Sequence, residues 1–267
     1  LCQEFFNVDG ANISLDAFQC QDGTWACAEE ECACNDDEVN LWGQCWPIYT
    51  TDTIHLTGQD LSGFYGGTIP PQLGQLTALR TLRLQNCNLS GELPDEFINL
   101  TNLEILNLAN NELSGYAFAG GSLANKPYDG VFENFTNLKT LIISNNQFGN
   151  KLTGVRYLTK LEELHASGNF FSGNVNELYV DWDADDSNLN FIDLHNNSLS
   201  QWAYYGEDTI GRFTELKKLN LSNNNIASQI PASIAEATNL RELNLANNDI
   251  VGSIPDSISY LDNLINL

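Results

Sequence analysis

The sequence predicts an α/β repeat fold: a right-handed solenoid with a concave parallel β-sheet and a disulfide-bonded N-terminal cap. Three observations in the 267 residues predict it. An eleven-residue leucine pattern recurs along the chain, successive copies start about 24 residues apart, and six of the seven cysteines lie within the first fifty positions. A coil built on such a pattern cannot bury its apolar edge alone, so the coils must stack.

The repeated pattern is Leu-x-x-Leu-x-Leu-x-x-Asn/Cys-x-Leu. Its eight copies, the first of them degenerate, start at Thr51, Leu79, Leu103, Leu138, Leu161, Leu189, Leu216 and Leu240. From Leu79 onward three intervals are expanded, to 35, 28 and 27 residues, which predicts insertions near residues 114–135, 174–188 and 200–213. A fixed period with insertions indicates one array. We therefore expect a cap over residues 1–50, then about eight repeats and the start of a ninth over 51–267.

Each position of the pattern has a predicted structural role. In a strand of period two, Leu82 and Leu84 point inward and Arg83 points outward. The Asn of the pattern follows the strand, where a side-chain amide can satisfy backbone groups that would otherwise be buried without partners. These asparagines are Asn111, Asn146, Asn169, Asn197, Asn224 and Asn248. Cys87 takes the same place in its coil, which predicts a buried free thiol.

The residues that follow the pattern resemble those of a known family. Segments 89–94, 226–231 and 250–255 match Leu-x-Gly-x-Ile-Pro or a close variant of it. This continuation is similar to that of plant-type extracellular leucine-rich repeats, which receptor-kinase ectodomains and polygalacturonase-inhibiting proteins share. The resemblance implies a twisted solenoid with a second short strand beside the concave sheet. The coils that continue from Leu113, Phe171 and Leu199 lack the Ile-Pro pair, so we expect them to lack a regular second strand.

The N-terminal cysteines predict disulfide bonds and not a zinc site. They are Cys2, Cys20, Cys27, Cys32, Cys34 and Cys45. An even cluster at one end of a repeat array is typical of a disulfide-bonded cap, with all fifteen pairings open. Zinc ligands need paired Cys-x-x-Cys or Cys/His spacing, which this segment lacks. The segment from Trp42 to Cys45 also resembles the end of plant-type caps, one residue shorter.

Disulfides and glycosylation sequons predict an extracellular, secreted or cell-surface protein. The Asn-x-Ser/Thr sequons are at Asn12, Asn88, Asn99, Asn134, Asn196 and Asn220. The sequence contains no apolar run long enough for a membrane span. Leu264-x-x-Leu267 opens a further copy of the pattern, and an open coil exposes its apolar edge. We therefore expect the natural protein to continue beyond it.

The net charge of −24 excludes nucleic acid as a partner, because such binding needs a basic surface. Residues 1–79 carry twelve acidic residues and neither Lys nor Arg. A solvated acidic surface explains this, as does attraction of a basic ligand or of calcium. The local calcium candidate is Asp181, Asp183 and Asp185, although an EF-hand is excluded because Asp186 stands where Gly is required. An exposed acidic loop is the alternative, and no other cofactor or metal is expected.

The pattern also fixes the outward residues of the concave sheet. The central column is His55, Arg83, Asn107, Ile142, His165, Asp193, Asn220 and Asn244. The column two residues further on is Thr57, Gln85, Ala109, Ser144, Ser167, His195, Ser222 and Ala246. We predict ligand contacts from Arg83, Asn107, His165, Asp193 and His195. A metal site or an acid/base pair at His165, Asp193 and His195 is the less favoured alternative, since no catalytic motif accompanies them.

Aromatic residues cluster in the insertions. They include Tyr116, Trp182, Trp202, Tyr204 and Tyr205. Insertions in repeat proteins map to loops on one face, often the binding face, and Trp and Tyr dominate interface hot spots. The same side chains can instead pack onto the solenoid, and the sequence leaves both alternatives open.

Taken together, these features predict a non-enzymatic extracellular recognition module for a protein, peptide or glycan. A structural glycoprotein that self-assembles into a matrix, wall or filament is the alternative.

Overall fold

The computed structural model describes residues 34–118, 131–178, 188–202 and 210–267, and the backbone of four short strands before them. These strands are β1 (Phe5–Val8), β2 (Ala11–Ser14), β3 (Phe18–Gln19) and β4 (Trp25–Ala26). Strand β1 pairs with β2, and β3 with β4, both antiparallel. A third antiparallel hairpin follows, formed by β5 (Glu38–Leu41) and β6 (Gln44–Pro47).

The third hairpin seals the first coil of the solenoid. A disulfide joins Cys34 to Cys45, which confirms a bridge near the N-terminus. Leu41 and Trp42 are buried in the same apolar cluster as the coils that follow. The Tyr65 hydroxyl donates a 2.9 Å hydrogen bond to the carbonyl of Asn40. The other predicted disulfide residues, Cys2, Cys20, Cys27 and Cys32, lie outside the described residues.

Eight parallel strands form the predicted sheet, here named the concave sheet. In spatial order they are β7 (Thr53–His55), β8 (Thr81–Arg83), β10 (Ile105–Asn107), β12 (Thr140–Ile142), β14 (Glu163–His165), β16 (Phe191–Asp193), β18 (Lys218–Asn220) and β19 (Glu242–Asn244). The middle residue of each strand is a buried Leu or Ile. Each such side chain stabilises the fold by roughly 1.5–3 kcal/mol relative to exposure, so stacked coils hold together without a central globular core.

A second parallel sheet, here named the outer sheet, corrects one expectation. Its strands are β9 (Ser90–Glu92), β11 (Glu112–Tyr116), β13 (Gln147–Asn150), β15 (Phe170–Asn174) and β17 (Ser198–Gln201). The coils predicted to lack a second strand therefore have one, whereas 226–231 and 250–255 contain none. Proline explains part of the difference: it supplies no N–H for a ladder. Strand β9 ends just before Leu93-Pro94, and the coils without that Pro extend their strands further.

The returning segment of each coil contains a short 3₁₀ helix. These helices span Tyr65–Gly67, Pro71–Gln75, Asp95–Asn99, Phe132–Asn134, Thr153–Tyr157, Val175–Leu178, Ile210–Arg212, Ala232–Glu236 and Asp256–Tyr260. None of the helices in the described ranges has the length and apolar character needed to cross a membrane. Buried phenylalanines fill the middle coils; for example, Phe118 and Phe171 each pack within 6 Å of a neighbouring ring.

The predicted role of the repeat asparagines is confirmed. The Oδ1 of Asn111 accepts hydrogen bonds from the backbone N–H groups of Cys87 and Leu89, both at 3.0 Å. Its Nδ2 donates to the carbonyls of Leu84 and Leu108, at 2.8 and 2.9 Å. One side chain thus joins two coils. Cys87 is a buried free thiol, as predicted, and its Sγ contacts the Leu56 carbonyl at 3.1 Å.

A second series of asparagines was not predicted. At the turn after each concave strand, one residue has positive φ. We name this series the turn residues: Gly58, Asn86, Asn110, Asn145, Gly168, Asn196, Asn223 and Asn247. Asn is the non-glycine residue that best tolerates this left-handed conformation, which explains why it recurs at these positions.

Candidate functional site

The strand pairing confirms the predicted columns of the concave sheet. Arg83 pairs with Asn107, His165 pairs with Asp193, and Asp193 pairs in turn with Asn220. These residues flank a buried Leu or Ile in each strand, and their own side chains remain half-buried or exposed. The concave sheet therefore presents an ordered polar surface in which neighbouring strands lie about 4.8 Å apart.

His165 lies in a stacked contact that the sequence did not indicate. Its ring stacks on Phe191 of the next strand, with centroids 4.3 Å apart and planes 23° apart. Its Nε2 lies 3.5 Å from Glu163 Oε2. The Lys218 ammonium lies 5.3 Å from the centroid of the same Phe191 ring, within the range of a cation–π contact. Lys218 also pairs with Glu242 at 3.0 Å. Five side chains on four adjacent strands thus form one cluster.

His195 belongs to a separate pair. Its Nδ1 lies 2.7 Å from Asp193 Oδ1, a contact that requires the proton on Nδ1 because a carboxylate only accepts. The backbone N–H of His195 also donates to that carboxylate, at 3.3 Å. Nε2 is then left as the ring nitrogen available to a ligand. The two histidines have different partners, and the described residues hold no cluster of three or more His, Cys, Asp or Glu suited to a metal.

Several central-column side chains are held by their own backbone. Asn107 Oδ1 accepts a hydrogen bond from the backbone N–H of Ala109 at 3.1 Å, and Asn244 Oδ1 accepts one from Ala246 at 3.1 Å. In this arrangement the oxygen accepts one hydrogen bond, and within the described residues no group accepts one from the amide nitrogen. These side chains therefore present fixed donors, which is the kind of preorganisation that lowers the entropic cost of binding.

The first outward column was missed by the sequence analysis. It consists of Thr53, Thr81, Ile105, Thr140, Glu163, Phe191, Lys218 and Glu242. The signal was present, because the residue before the middle Leu of a strand points to the same side as the residue after it. This column supplies most of the His165 cluster.

A column of charges borders the sheet just before the strands. Glu104 Oε1 pairs with Arg80 and its Oε2 with Lys139, both at 2.9 Å. The hydrogen bond and charge of Lys139, aided by Arg80, hold the pKa of Glu104 below its ordinary value. The same contact raises the pKa of Lys139. Similar positions in later coils hold Lys217 and Arg241.

Charge is distributed very unevenly over the chain. The outward columns and the bordering column hold six of the eleven Lys and Arg residues: Arg80, Arg83, Lys139, Lys217, Lys218 and Arg241. They hold only six of the 35 Asp and Glu residues: Asp52, Glu104, Glu162, Glu163, Asp193 and Glu242. All three histidines are there too. The concave sheet is thus charge-balanced, and the net charge of −24 comes from the rest of the chain.

An open hollow lies at the C-terminal end of the concave sheet. It encloses about 370 Å³ and is lined by Lys218, Asn220, Glu242, Asn244, Asn266 and Leu267 among others. Residue Asn266 pairs with Glu242 in a parallel bridge, so the ninth copy of the pattern begins to extend the sheet. The hollow offers donors, an ammonium and a carboxylate within one concave surface.

The aromatic residues of the insertions do not all serve the predicted role. Trp202 is only 2% exposed and belongs to the apolar core, so for this residue the packing alternative is correct and a ligand contact is not. Tyr116 is 57% exposed but lies on the outer sheet. Trp182, Tyr204 and Tyr205, and the calcium candidate Asp181, Asp183 and Asp185, lie outside the described residues.

Sequence comparisons identify the repeats. The Leucine Rich Repeat family profile matches residues 78–100, 215–237 and 239–261. Receptor-like protein 41 of Arabidopsis thaliana is 30% identical over 211 residues, which cover 76% of this chain and 21% of that protein. Receptor-like protein 39 of the same plant is 33% identical over 122 residues, covering 43% and 12%. The alignments thus span about a fifth or less of these relatives.

Structural comparisons agree with the sequence. A TDR receptor crystal structure is 28% identical with a TM-score of 0.63, over 75% of this chain and 32% of that one. The Arabidopsis receptor kinase HAESA, solved with the peptide hormone IDA and the co-receptor SERK1, is 27% identical with a TM-score of 0.61, over 73% and 30%. The chain is therefore a leucine-rich repeat solenoid, similar in sequence to plant receptor-like proteins and in structure to plant receptor ectodomains.

Proposed function

We propose that this chain is an extracellular, non-enzymatic recognition module that binds a peptide segment along the concave sheet. The observation that carries the proposal is the charge balance of that sheet. The rest of the chain is strongly acidic and repels an acidic ligand. On the sheet, fixed amide donors, three histidines and cations such as Arg83 alternate with carboxylates, so a peptide of mixed charge meets complementary groups.

The similar structure of HAESA with a peptide hormone supports a peptide as the ligand. The geometry agrees, because an extended peptide that crosses parallel strands meets one outward side chain per column about every 4.8 Å. The predicted ligand contacts Arg83, Asn107, His165, Asp193 and His195 remain part of this proposal, with Phe191 and Lys218 added. A purely basic ligand is less favoured, since the acidic surface elsewhere would attract it equally well.

Selection from a random peptide library displayed on phage, with the secreted chain as bait, tests the proposal. Enriched peptides are then synthesised and their affinities measured by calorimetry for two charge-matched double variants. Arg83→Glu with Lys218→Glu changes the concave sheet. Arg156→Glu with Lys160→Glu makes the same change in net charge on the 3₁₀ helix and loop of another surface, where Arg156 is half-buried and Lys160 is exposed.

We expect the concave variant to lose at least about tenfold in affinity, because hot-spot charges typically contribute more than 1.4 kcal/mol. The control should stay within about twofold, as rim and remote charges do. Circular dichroism confirms folding of both variants. Equal losses of affinity in the two variants would contradict the proposal. So would a selection in which no enriched peptide competes with another for binding to the chain.

Assembly into a matrix, wall or filament stays a prediction. Sedimentation of the full-length native protein over a hundredfold range of concentration tests it, and a monomer throughout would contradict it.

A further inference from the structure

Side chains of successive turn residues hydrogen-bond to each other at two places in the described coils. Asn145 Nδ2 donates to Asn110 Oδ1 of the preceding coil at 2.7 Å, and Asn247 Nδ2 donates to Asn223 Oδ1 at 2.7 Å. The residue that precedes Asn196 in this series is Gly168, which has no side chain to accept a hydrogen bond. The Asn196 side chain is exposed and, within the described part of the chain, makes no side-chain hydrogen bond.

Asn196, whose side chain is free of hydrogen bonds within the described residues, belongs to a glycosylation sequon. Among the turn residues, Asn196 alone is followed by the x-Ser/Thr that a sequon requires, as Asn196-Asn197-Ser198. Ser198 is exposed as well, whereas Asn197 is buried and accepts a 3.0 Å hydrogen bond from the N–H of Phe171. The first and third residues of the sequon are thus accessible at the surface, and Asn197 between them anchors the turn.

Three other described sequons use their asparagine side chains within the fold. Asn88 hydrogen-bonds to the Asp60 carboxylate, which, after the contacts from Ser62, helps to lower the pKa of that group. Asn134 Nδ2 donates to the Val131 carbonyl at 3.2 Å. Asn220 Oδ1 accepts from the Ser222 hydroxyl on the concave sheet at 2.8 Å. Asn99 is exposed like Asn196 and provides an internal reference.

A row of exposed aromatic residues leads away from Asn196. On the outer sheet, Tyr116 pairs with Gly149 and Gly149 pairs with Phe170. Ser172 of β15 pairs with Ser198 of β17, and Phe170 and Asn196 each lie two residues before this pair, Asn196 in the turn that leads into β17. Tyr116 and Phe170 are 57% and 62% exposed. From Phe170 over Gly149 to Tyr116 the row therefore crosses two strand spacings, about 10 Å, with no side chain at its middle position, and Asn196 lies in the turn of the next coil.

We propose that Asn196 carries an N-linked glycan whose first sugars lie along this row, from Phe170 over Gly149 to Tyr116. The modification joins Asn196 Nδ2 to the anomeric carbon of an oligosaccharide donor carried on a lipid pyrophosphate. The lipid pyrophosphate leaves with the electrons of the broken C–O bond, and one amide proton is released. This inference rests on the extracellular location proposed above, since that donor acts in the secretory pathway.

The aromatic row gives the glycan a reason to lie on the protein. A pyranose ring presents a face of C–H groups, and an exposed aromatic ring presents a flat apolar face with a negative quadrupole. Contact between the two removes apolar surface from water on both sides. Gly149 leaves room for a sugar between the two rings, which a larger side chain would occupy. The row is about as long as two sugar residues.

The test uses the full chain secreted from insect cells. Glycopeptide mass spectrometry measures occupancy at each sequon, and a peptide N-glycosidase then removes glycans from the folded protein. We expect Asn196 to be occupied. We also expect Phe170→Ala to speed release from Asn196 at least threefold, because the sugars no longer shelter against the ring. Release from Asn99, and from Asn196 in a Tyr49→Ala control on another exposed aromatic, should not change.

An unmodified Asn196 in a protein modified at other sequons, or lacking modification altogether, would overturn the inference. Occupancy with the same release rate in the Phe170→Ala variant and the parent would overturn the placement of the sugars. Peptide binding by the concave sheet is measured on Ser198→Ala, which removes the sequon. If the Ser198→Ala variant still binds peptide, the glycan proposal and the peptide-binding proposal can be tested independently.

Discussion

Asn169 Oδ1 accepts a 3.0 Å hydrogen bond from the backbone N–H of Phe148, a residue of the preceding coil. Its Nδ2 donates to the carbonyl of Ile143, also in that coil, at 3.0 Å, and to the carbonyl of Ala166 at 3.3 Å. The side chain is 5% exposed. A single buried amide therefore closes its own turn and satisfies the backbone of its neighbour.

Replacing Asn169 by alanine should destabilise the protein strongly. The variant leaves the Phe148 N–H buried without a partner, at a cost of about 1–3 kcal/mol. It also removes one of two donors from the carbonyls of Ile143 and Ala166, which keep Asn146 and Asn197 respectively. We expect a loss of at least about 2 kcal/mol in the free energy of unfolding, measured by urea denaturation. Asn137→Ala is the control. Asn137 Nδ2 also donates to a carbonyl of the preceding coil, that of Thr101, but at an exposed site, so its loss should be within about 0.5 kcal/mol. Equal losses would contradict this account.

The asparagines were predictable because the repeat fixes both their position and the backbone groups around them. The central column was predictable for the same reason, since strand alternation determines which side of the sheet Arg83 or His195 faces. The outer sheet was not. An outer strand can continue only where the residues after it, such as those after Gly115 or Gly173, have N–H groups for the ladder. The Ile-Pro pair was taken to indicate a strand, whereas its proline limits the length of the strand.

The repeat pattern could not predict the contacts between side chains of different columns on the concave sheet. Nothing in the spacing indicates that Phe191 stacks on His165 or that Lys218 lies against the same ring, because these contacts depend on side-chain rotamers across two strands. Trp202 shows the opposite limit. Its position in an insertion suggested that the side chain is exposed, whereas in the structure the side chain packs in the apolar core. Paired residues such as Asn110-Asn111 did hold the signal for the turn residues, but only the second of each pair was interpreted.

Gly168 provides a direct test of the series of turn residues. Its φ is +63°, and a Cβ there would lie 2.4 Å from Asn145 Oδ1. Gly168→Ala should therefore lower the free energy of unfolding by about 1–2 kcal/mol through the strained backbone. Gly168→Asn should cost less although Asn is larger, because Asn tolerates this conformation and can donate to Asn145 as Asn145 donates to Asn110.

The comparison of the Gly168 variants needs a neutral reference. Gly63→Ala supplies it, because a Cβ at Gly63 meets no atom within 4 Å and its φ is not in the left-handed region. Urea denaturation of all three variants gives the ranking. If Gly168→Asn were the least stable of the three, size and not backbone conformation would decide, and the proposed role of the turn residues would be wrong.

Burial raises the pKa of the Cys87 thiol, since removal from water disfavours the thiolate. A folded-state pKa above the unfolded value contributes stability below the ordinary thiol pKa, about 8.5, and that contribution is lost as the pH rises above it. The loss of stability between pH 7 and pH 9.5 should therefore be larger in the parent than in Cys87→Ala. Urea midpoints at both pH values measure this, and identical pH dependence would contradict the assignment.

The same burial predicts that Cys87 is chemically inert in the folded state. Alkylation by iodoacetamide at pH 8 requires an opening that exposes the thiol. We expect labelling at least about 100-fold slower than in 8 M urea, where the same residue provides its own control. Mass spectrometry of the peptide that contains Cys87 follows the reaction. Rapid labelling without denaturant would show that the first coils open far more readily than their packing indicates.

The pairing of Glu104 with Lys139 and Arg80 makes a prediction with a defined sign. Because the folded-state pKa of Glu104 is lowered, its contribution to stability is present above the unfolded pKa, about 4.3, and is lost as the pH falls through the folded value.

Glu104→Gln should therefore lower the melting temperature at pH 7, and the difference from the parent should vanish at pH 2. One molar salt should reduce it at pH 7 as well, because Arg80 and Lys139 are exposed, Glu104 is partly exposed, and salt screens such a pair. Glu215→Gln, at an exposed carboxylate with no ion pair among the described residues, is the matched control and should show neither dependence. A difference that persisted at pH 2 would mean that Glu104 acts through packing of its side chain and not through its charge.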